Sequence, residues 1–477
     1  MRKNVKLRNF SHHYLKIVGS CGGLKGMAKV FRAYDIRGVY GEDLTPELAL
    51  RIGMAFGTFL NGGKVFVGGD SRLTSPTLKG CIVAGLASTG CDCFDIGLVP
   101  TPTLYFASIH YGENGGVMVT ASHNPPQYNG FKLCRGGISY SYETGIGEVE
   151  KIVEEGRFRL VSWEKTGKIN VQDVLSDYMD YLVKDRVLER KLKVIVDAGN
   201  GTCGFTEKIF KALGCEVKVL FGEPDGRFPN HIPDPLKEDT LKTLREKIVE
   251  EKADLGIAFD GDGDRVGFVD EKGQIVRGDQ AFMLFARETL KRYPNSKIIF
   301  NVLGSKALFE EVKALGGIPV MTRVGHSYIH EALLKEKAVL AGEISGHYYF
   351  AKEYYGFDDG IFAAVKMVEL LGKTNLKLSE MVEKLPKYYS SPEVRIPCSD
   401  EKKFRVVDVL REKFEREGYK LITIDGVRVE FEDGWGLVRA SNTEPALVLR
   451  FEAQTQERLE KIRQYILGET KKVLESV

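Results

Sequence analysis

The 477-residue chain lacks the features that mark several large classes of protein. Its formal charge is only +2 at pH 7, so no strong field draws it to nucleic acid or to an acidic membrane surface. It has no apolar run of about 18 residues, the length a membrane-spanning helix needs. Cysteine is scarce, eight in all. Cys91 and Cys93 form a C-x-C pair, but no second pair or neighbouring histidine completes a zinc set. The thiols read as small apolar side chains of a cytoplasmic protein. There is no Walker A sequence and no G-x-G-x-x-G after a strand, so nucleotide binding is not indicated. The G-x-S-x-G elbow of a hydrolase is also missing. Acid is absent from the beginning of the chain: residues 1–26 hold Arg2, Lys3, Lys6, Arg8, Lys16 and Lys25, and the first carboxylate is Asp35. That stretch has no apolar core of about 7–15 residues, so it is not a secretory signal. It reads either as an organelle-targeting leader or as an extension ahead of a start at Met27. The second is the expectation, because Met27-Ala-Lys-Val-Phe leads straight into a strand-like run.

What the chain does contain is the makeup of a globular protein, 43% hydrophobic and 28% charged, at a length that holds several domains. Short β-rich runs alternate with amphipathic segments. Thr45-Pro46-Glu47 has the cap, N1 proline and first-turn acid of a helix start. Leu48, Ile52, Ala55, Phe56 and Phe59 then follow helical spacing. Strand-like runs stand at 65–67, 192–196, 253–259, 297–302 and 338–341. This alternation predicts α/β units with mostly parallel sheets, in which ligands gather at the carboxyl ends of strands. The polar turns 68–72, 197–202, 260–265 and 342–347 all lie there. The charged region 148–168 reads as surface and linker. The prolines at 386, 392 and 397 break the pattern, and beyond them a helix near 402–416, runs at 420–424, 427–431 and 446–451, and a helix from about Gln456 predict an α+β tail.

Four short stretches carry chemistry. Thr120-Ala-Ser-His-Asn-Pro-Pro places Ser122 on a stiff turn after an apolar run, with His123 and Lys132 near in sequence. Such a serine is a nucleophile or a phosphate carrier, though alone it reads equally as a polar proline turn. Asp260-Gly-Asp-Gly-Asp-Arg265 alternates three carboxylates with glycines, so Asp260, Asp262 and Asp264 can converge on one hard cation, with Arg265 beside it. Gly342-Glu-Ile-Ser-Gly-His347 is expected to be extended, with Glu343, Ser345 and His347 on one side as a clamp for sugar hydroxyls. A mixed polar loop is an equal reading of it. Arg439-Ala-Ser-Asn-Thr443 offers a guanidinium fork from Arg439, hydroxyls from Ser441 and Thr443, and the Asn442 amide, a set that matches a phosphate dianion but also an ordinary polar turn.

Taken together in this order, the four stretches resemble the α-D-phosphohexomutase family, over essentially the whole chain from about Phe31. The resemblance implies three similar mixed or parallel-sheet α/β domains and a C-terminal α+β domain around a central cleft: residues 27–170 for the phosphoserine, 171–273 for the metal, 274–387 for the sugar and 388–477 for the phosphate. It implies a mutase that interconverts hexose 6-phosphate and hexose 1-phosphate through a phosphorylated Ser122 and a hexose 1,6-bisphosphate, which also serves as activator. One Mg²⁺ per chain would be held by Ser122, Asp260, Asp262 and Asp264. Glu343, Ser345 and the His326 loop would grip the sugar. Arg439, Ser441, Asn442 and Thr443 would hold the non-reacting phosphate. Lys132 and His347 resemble the proton-transfer and positioning groups, Arg265 the neutralising cation, and Arg37 the arginine lining the cleft. Arg32-Ala-Tyr-Asp-Ile-Arg-Gly38 and Ile344 resemble the phosphomannomutase/phosphoglucomutase form rather than phosphoglucosamine mutases, which remain the rival. A non-catalytic sugar-phosphate-binding protein on this fold and a phosphatase are more distant rivals. One departure stands out: Leu303 sits where many bacterial members carry a cleft lysine, and Lys306 lies close by. The implied partners are hexose phosphates, with no nucleic acid and no membrane; monomer and homo-oligomer both remain open.

Overall fold

The computed structural model describes residues 30–112, 114–441 and 445–477; the expected N-terminal extension lies outside them. The helix expected at Thr45 runs over Pro46–Leu60, and Thr45 caps it by accepting from the Leu48 amide at 3.2 Å. Among the described residues the strands form four sheets.

The first three sheets share one plan. Each has a parallel set of three strands, extended in the first by Ile169–Val171, and the strand at one side of that set turns back on itself as an antiparallel hairpin. In the first, Gly115–Val119, Gly63–Gly69 and Cys91–Leu98 are parallel, and Tyr128–Arg135 is the return strand. In the second, Leu255–Phe259, Lys193–Asp197 and Glu216–Leu220 are parallel, with Val266–Val269 returning. In the third, Leu340–Gly342, Lys297–Asn301 and Ile318–Thr322 are parallel, with Tyr348–Phe350 returning. The parallel strands at the hairpins, Gly115–Val119 and Leu255–Phe259, are buried at every position, as expected of sheets covered on both faces. The three hairpin turns are the stretches 120–127, 260–265 and 343–347, so one place in the plan carries three of the four chemical motifs.

The fourth sheet is antiparallel throughout. It includes a strand the sequence reading missed, Gly434–Ala440, buried at every position. Gly434 and Gly436 gave it the look of a loop, yet a Cβ on Gly436 would stand 2.9 Å from Ile466, so the glycine lets the C-terminal helix Gln456–Ser476 lie close against the sheet. The proline-bearing stretch near 390 is where the α/β pattern ends, as expected. Tyr389–Ser390 and Val394–Pro397 both pair with Ala446–Ala453 and open the fourth sheet. The region expected as linker, 148–168, begins with the helix Gly147–Glu155. Its Val149, Ile152 and Val153 fall at helical spacing and are buried with the core of the first unit, an apolar stripe hidden in the sequence by the acids around it.

Candidate active site

Ser122 is the third residue of the first hairpin turn. Its φ is +50°, a left-handed conformation that costs a residue with a Cβ about 1–2 kcal/mol and that recurs where function demands it. Its amide donates to Thr120 Oγ1 at 2.9 Å. Its hydroxyl donates to Asp260 Oδ2 at 2.5 Å and lies 3.1 Å from His123 Nδ1. The field of Arg265, then burial, then Arg37 hold the His123 imidazole well below its usual range, so this ring is neutral. Two units therefore meet at one oxygen. Glycine permits the approach: a Cβ on Gly261 would stand 2.6 Å from the Ser122 carbonyl oxygen.

Asp260, Asp262 and Asp264 present carboxylate oxygens that lie within 4.8 Å of one another, all buried. Burial and the neighbouring Asp264 and Asp262 push the Asp260 carboxyl well above its ordinary range. Burial also pushes Asp264 up, but Lys132, His347 and Arg265 hold it well below the carboxylate range. Lys132 donates to Asp262 at 2.7 Å and to Asp264. Burial would lower that ammonium, and the two carboxylates more than reverse the effect. Thr101, which nothing in the sequence pointed to, donates its hydroxyl to Asp262 at 2.6 Å. Asp262 Oδ1 and Asp264 Oδ1 are buried with no hydrogen-bond partner. An all-oxygen set with free acceptors at its centre fits a hard divalent cation such as Mg²⁺.

The third turn departs from expectation. Residues 343–347 are not extended: the Glu343 amide donates to the His347 carbonyl at 2.9 Å, closing a tight hairpin. Glu343 and His347 consequently reach different partners. Glu343 accepts from Asn301 at 2.6 Å, from the Gly325 amide at 3.2 Å and from Ser345 at 3.2 Å. His347 Nε2 receives a hydrogen bond from Arg265 Nε at 3.0 Å. An arginine N–H can only donate, so the ring proton sits on Nδ1, which faces Asp358 Oδ2 at 3.0 Å. Asp358 lies in the loop just before the helix Gly360–Gly372. His326 stacks on His347 with centroids 5.9 Å apart.

A cavity of about 440 Å³ brings together Arg37, Ser122, Lys132, Asp264, Arg265, His326 and His347. Arg37 donates to Asn124 at 2.7 Å and pairs with Asp35. Glu343, Ser345, Arg439 and Ser441 do not line this cavity. Arg439 is held by Asp425 at 3.1 Å, and Asp425 also accepts from the Val324 amide at 3.0 Å, two residues before His326. The fourth motif thus abuts the third unit's His326 loop. Ser441 donates its amide to the Ala446 carbonyl. Asn442 and Thr443 lie outside the described residues. Lys306 does not replace the lysine missing at Leu303. Its ammonium donates to the carbonyls of Phe431 and Glu432 at 2.8 and 2.6 Å, and Leu303 packs with Val302 against Trp435 and Leu437. Both residues bind the third unit to the fourth.

Comparison with known proteins gives a consistent result. Four family models match in series: phosphoglucomutase/phosphomannomutase alpha/beta/alpha domain I over residues 28–160, domain II over 176–273, domain III over 277–389 and the C-terminal domain over 393–469. A phosphomannomutase/phosphoglucomutase of Pseudomonas syringae is 45% identical, covering 93% of this chain and 95% of its own. A phosphoglucomutase of Neisseria gonorrhoeae is 43% identical over 91% and 95%. The crystal structure of a phosphoglucomutase/phosphomannomutase family protein from Burkholderia thailandensis superposes with a TM-score of 0.87 at 40% identity, covering 93% of this chain and 97% of that one.

Proposed function

The chain belongs to the α-D-phosphohexomutase family, and from that premise we propose that it interconverts the 6- and 1-phosphates of mannose and glucose through a phosphoryl group carried on Ser122. The observation that carries this reading is the meeting of the Ser122 hydroxyl, aimed by a left-handed turn, with Asp260 of the three-aspartate turn at 2.5 Å. Phosphoryl transfer needs positioning and charge neutralisation more than covalent assistance. Asp260, Asp262, Asp264 and the Ser122 oxygen would hold one Mg²⁺. When bound, that ion supplies positive charge beside the transferring group.

The chain's own residues do the rest in this proposal. Arg265 and Arg37 neutralise the phosphoryl oxygens from the cavity wall. Lys132 and His347, the latter with its proton left on Nδ1 by the Arg265 donation to Nε2, manage the proton of the sugar hydroxyl that accepts the phosphoryl group. Glu343, Ser345 and the His326 loop grip the sugar, and Arg439, Ser441, Asn442 and Thr443 bind the phosphate that is not reacting. A phosphate site used by either end of the sugar lets a hexose 1,6-bisphosphate turn over between two half-reactions, and the same bisphosphate recharges Ser122 as activator. The four units are then the serine, metal, sugar and phosphate domains. No described helix is long and apolar enough to cross a membrane. Seven described cysteines are free, which accords with a cytoplasmic enzyme.

Intact-mass measurement of the purified chain tests the carrier directly: one phosphate on Ser122, lost in Ser122→Ala together with nearly all turnover while hexose phosphate still binds. Full activity in that variant would remove the proposal. A substrate panel with glucose, mannose and glucosamine 1-phosphates tests the sugar, and a preference for glucosamine would replace it.

A further inference from the structure

The turn that carries Ser122 is built around a side chain outside every motif considered so far. Arg72 follows the strand Gly63–Gly69 and is 1% exposed. Its Nε donates to Asp70 Oδ2 at 3.1 Å. Its Nη1 donates to the carbonyls of Pro125 at 2.7 Å and Tyr128 at 3.0 Å. Its Nη2 donates to the carbonyls of Ser122 at 2.8 Å and Asn124 at 2.6 Å. A guanidinium has five N–H donors in a fixed plane, and here all five are spent, three of them on the serine turn and one on Tyr128, the first residue of the return strand. Asp70 works on the same turn from the other side. It accepts from Thr120 Oγ1 at 2.8 Å, and Thr120 Oγ1 in turn receives the Ser122 amide. The carbonyl and the amide of Ser122 are thus both tied, through one ion pair, to the loop after the neighbouring strand.

The second unit closes over this arrangement. The Phe228 ring lies 5.1 Å from the Arg72 guanidinium carbon. A Cβ on Gly226 would stand 2.4 Å from the Ser71 carbonyl and 2.5 Å from Arg72 Cα, so the loop before Phe228 presses its backbone directly on Arg72. The unit that supplies the aspartates therefore also fixes the guanidinium that shapes the serine turn.

We propose that Arg72 is the positioning residue of the phosphoryl-carrying serine: clamped by Asp70 and capped by Phe228, it holds the Ser122 turn in the left-handed conformation that aims the hydroxyl at the aspartate turn. This rests on the carrier role of Ser122 proposed above. Arg72 does not line the cavity, so its loss is expected to change the rate of transfer and not the affinity for the sugar phosphate.

The test compares Arg72→Ala and Arg72→Lys with the wild-type chain, assayed with glucose 1-phosphate at saturating Mg²⁺ and glucose 1,6-bisphosphate. A shift of about 1 Å at a reacting atom costs on the order of 100-fold in rate, so kcat is expected to fall about 100-fold in Arg72→Ala and roughly 10-fold in Arg72→Lys, with KM within about threefold of wild type. Guanidinium chloride at a few tens of millimolar is expected to restore part of kcat in Arg72→Ala; sodium chloride at equal ionic strength is not, and neither salt restores Ser122→Ala. A kcat for Arg72→Ala within about threefold of wild type overturns the proposal. So does a joint loss of kcat and KM that guanidinium leaves unchanged. Where Arg72→Ala does not fold, Phe228→Leu reads the same geometry: kcat is expected about fivefold down at unchanged KM, and wild-type kcat overturns the proposal. Turnover by a wild-type chain that never carries phosphate on Ser122 would instead refute the carrier reading, whatever the Arg72 variants do.

Discussion

Replacing Lys132 with methionine sets the charge balance of the aspartate turn against its affinity for a cation. The ammonium lies 2.7 Å from Asp262 and also pairs with Asp264, and all three side chains are at most 5% exposed. At an effective dielectric constant of about 20, one such pair attracts by about 6 kcal/mol. Much of that is offset by desolvation, but removing one partner of a buried pair leaves uncompensated charge and costs about 3–5 kcal/mol. Without divalent cation, Lys132→Met is therefore expected to melt about 6–20 °C below wild type, taking about 2–4 °C per kcal/mol for a unit of this size. Mg²⁺ has the opposite bias. In the wild-type chain it competes with an ammonium already on two of the aspartates; in the variant it meets no competitor and relieves their repulsion. Its affinity should rise at least tenfold, about 1.4 kcal/mol, and its stabilising effect should exceed that on wild type by a similar amount. Calorimetric titration and melting at a series of Mg²⁺ concentrations measure both. Equal affinity and equal stabilisation in the two chains would refute the competition, and an unchanged melting temperature without metal would refute the buried pairing.

Two further expectations concern residues away from the chemistry. Burial pushes the Asp359 carboxyl up to about 7, where it accepts from the Phe362 amide at 2.7 Å and from Tyr178 at 2.9 Å. The folded chain thus keeps a proton that the unfolded chain releases near pH 4, so this residue makes stability fall as pH rises from about 4 to about 7 and no further above that. Asp359→Asn should remove that segment of the profile and gain at most about 4 kcal/mol at pH 8, read by denaturant unfolding across the range; an unchanged slope counts against it. Leu303→Lys places an ammonium in the apolar contact with Trp435 and Leu437, at a cost of several kcal/mol. With the 85%-exposed Trp163 replaced by Phe, the emission of Trp435 should shift to the red, and unshifted emission would mean that the contact tolerates a lysine.

The four motifs were legible because each is contiguous and follows an apolar run, so residue type and position pointed the same way. The common hairpin plan was not, because the return strands are short and only pairing reveals that 120–127, 260–265 and 343–347 are one structural place. The 343–347 turn was misread as extended because alternating polar residues look alike in a strand and in a tight hairpin. The residues that the sequence reading passed over, Arg72, Thr101, Asp358 and Asp425, act through partners far along the chain, as Arg72 does on Ser122 and Thr101 on Asp262. No local spacing encodes such contacts. The turn 68–72 was placed among the polar turns at the carboxyl ends of strands, but no role was read for Asp70 or Arg72 within it. Leu303 was recognised as a departure, but its meaning required Trp435, in a strand disguised by glycines.

The repeated hairpin bears on how such a chemistry comes to be assembled. Three sheets built to one plan present three equivalent corners, and each corner carries a different set of side chains: a buried serine, three aspartates, a glutamate with a serine and a histidine. A fold that copies its own scaffold is free to specialise each copy, since the strands and helices behind a corner do not care what the corner carries. The same independence makes the scaffold a natural object for transplantation. A turn exchanged between hairpins should keep its local shape while losing its partners, which would separate what a motif is from where it stands.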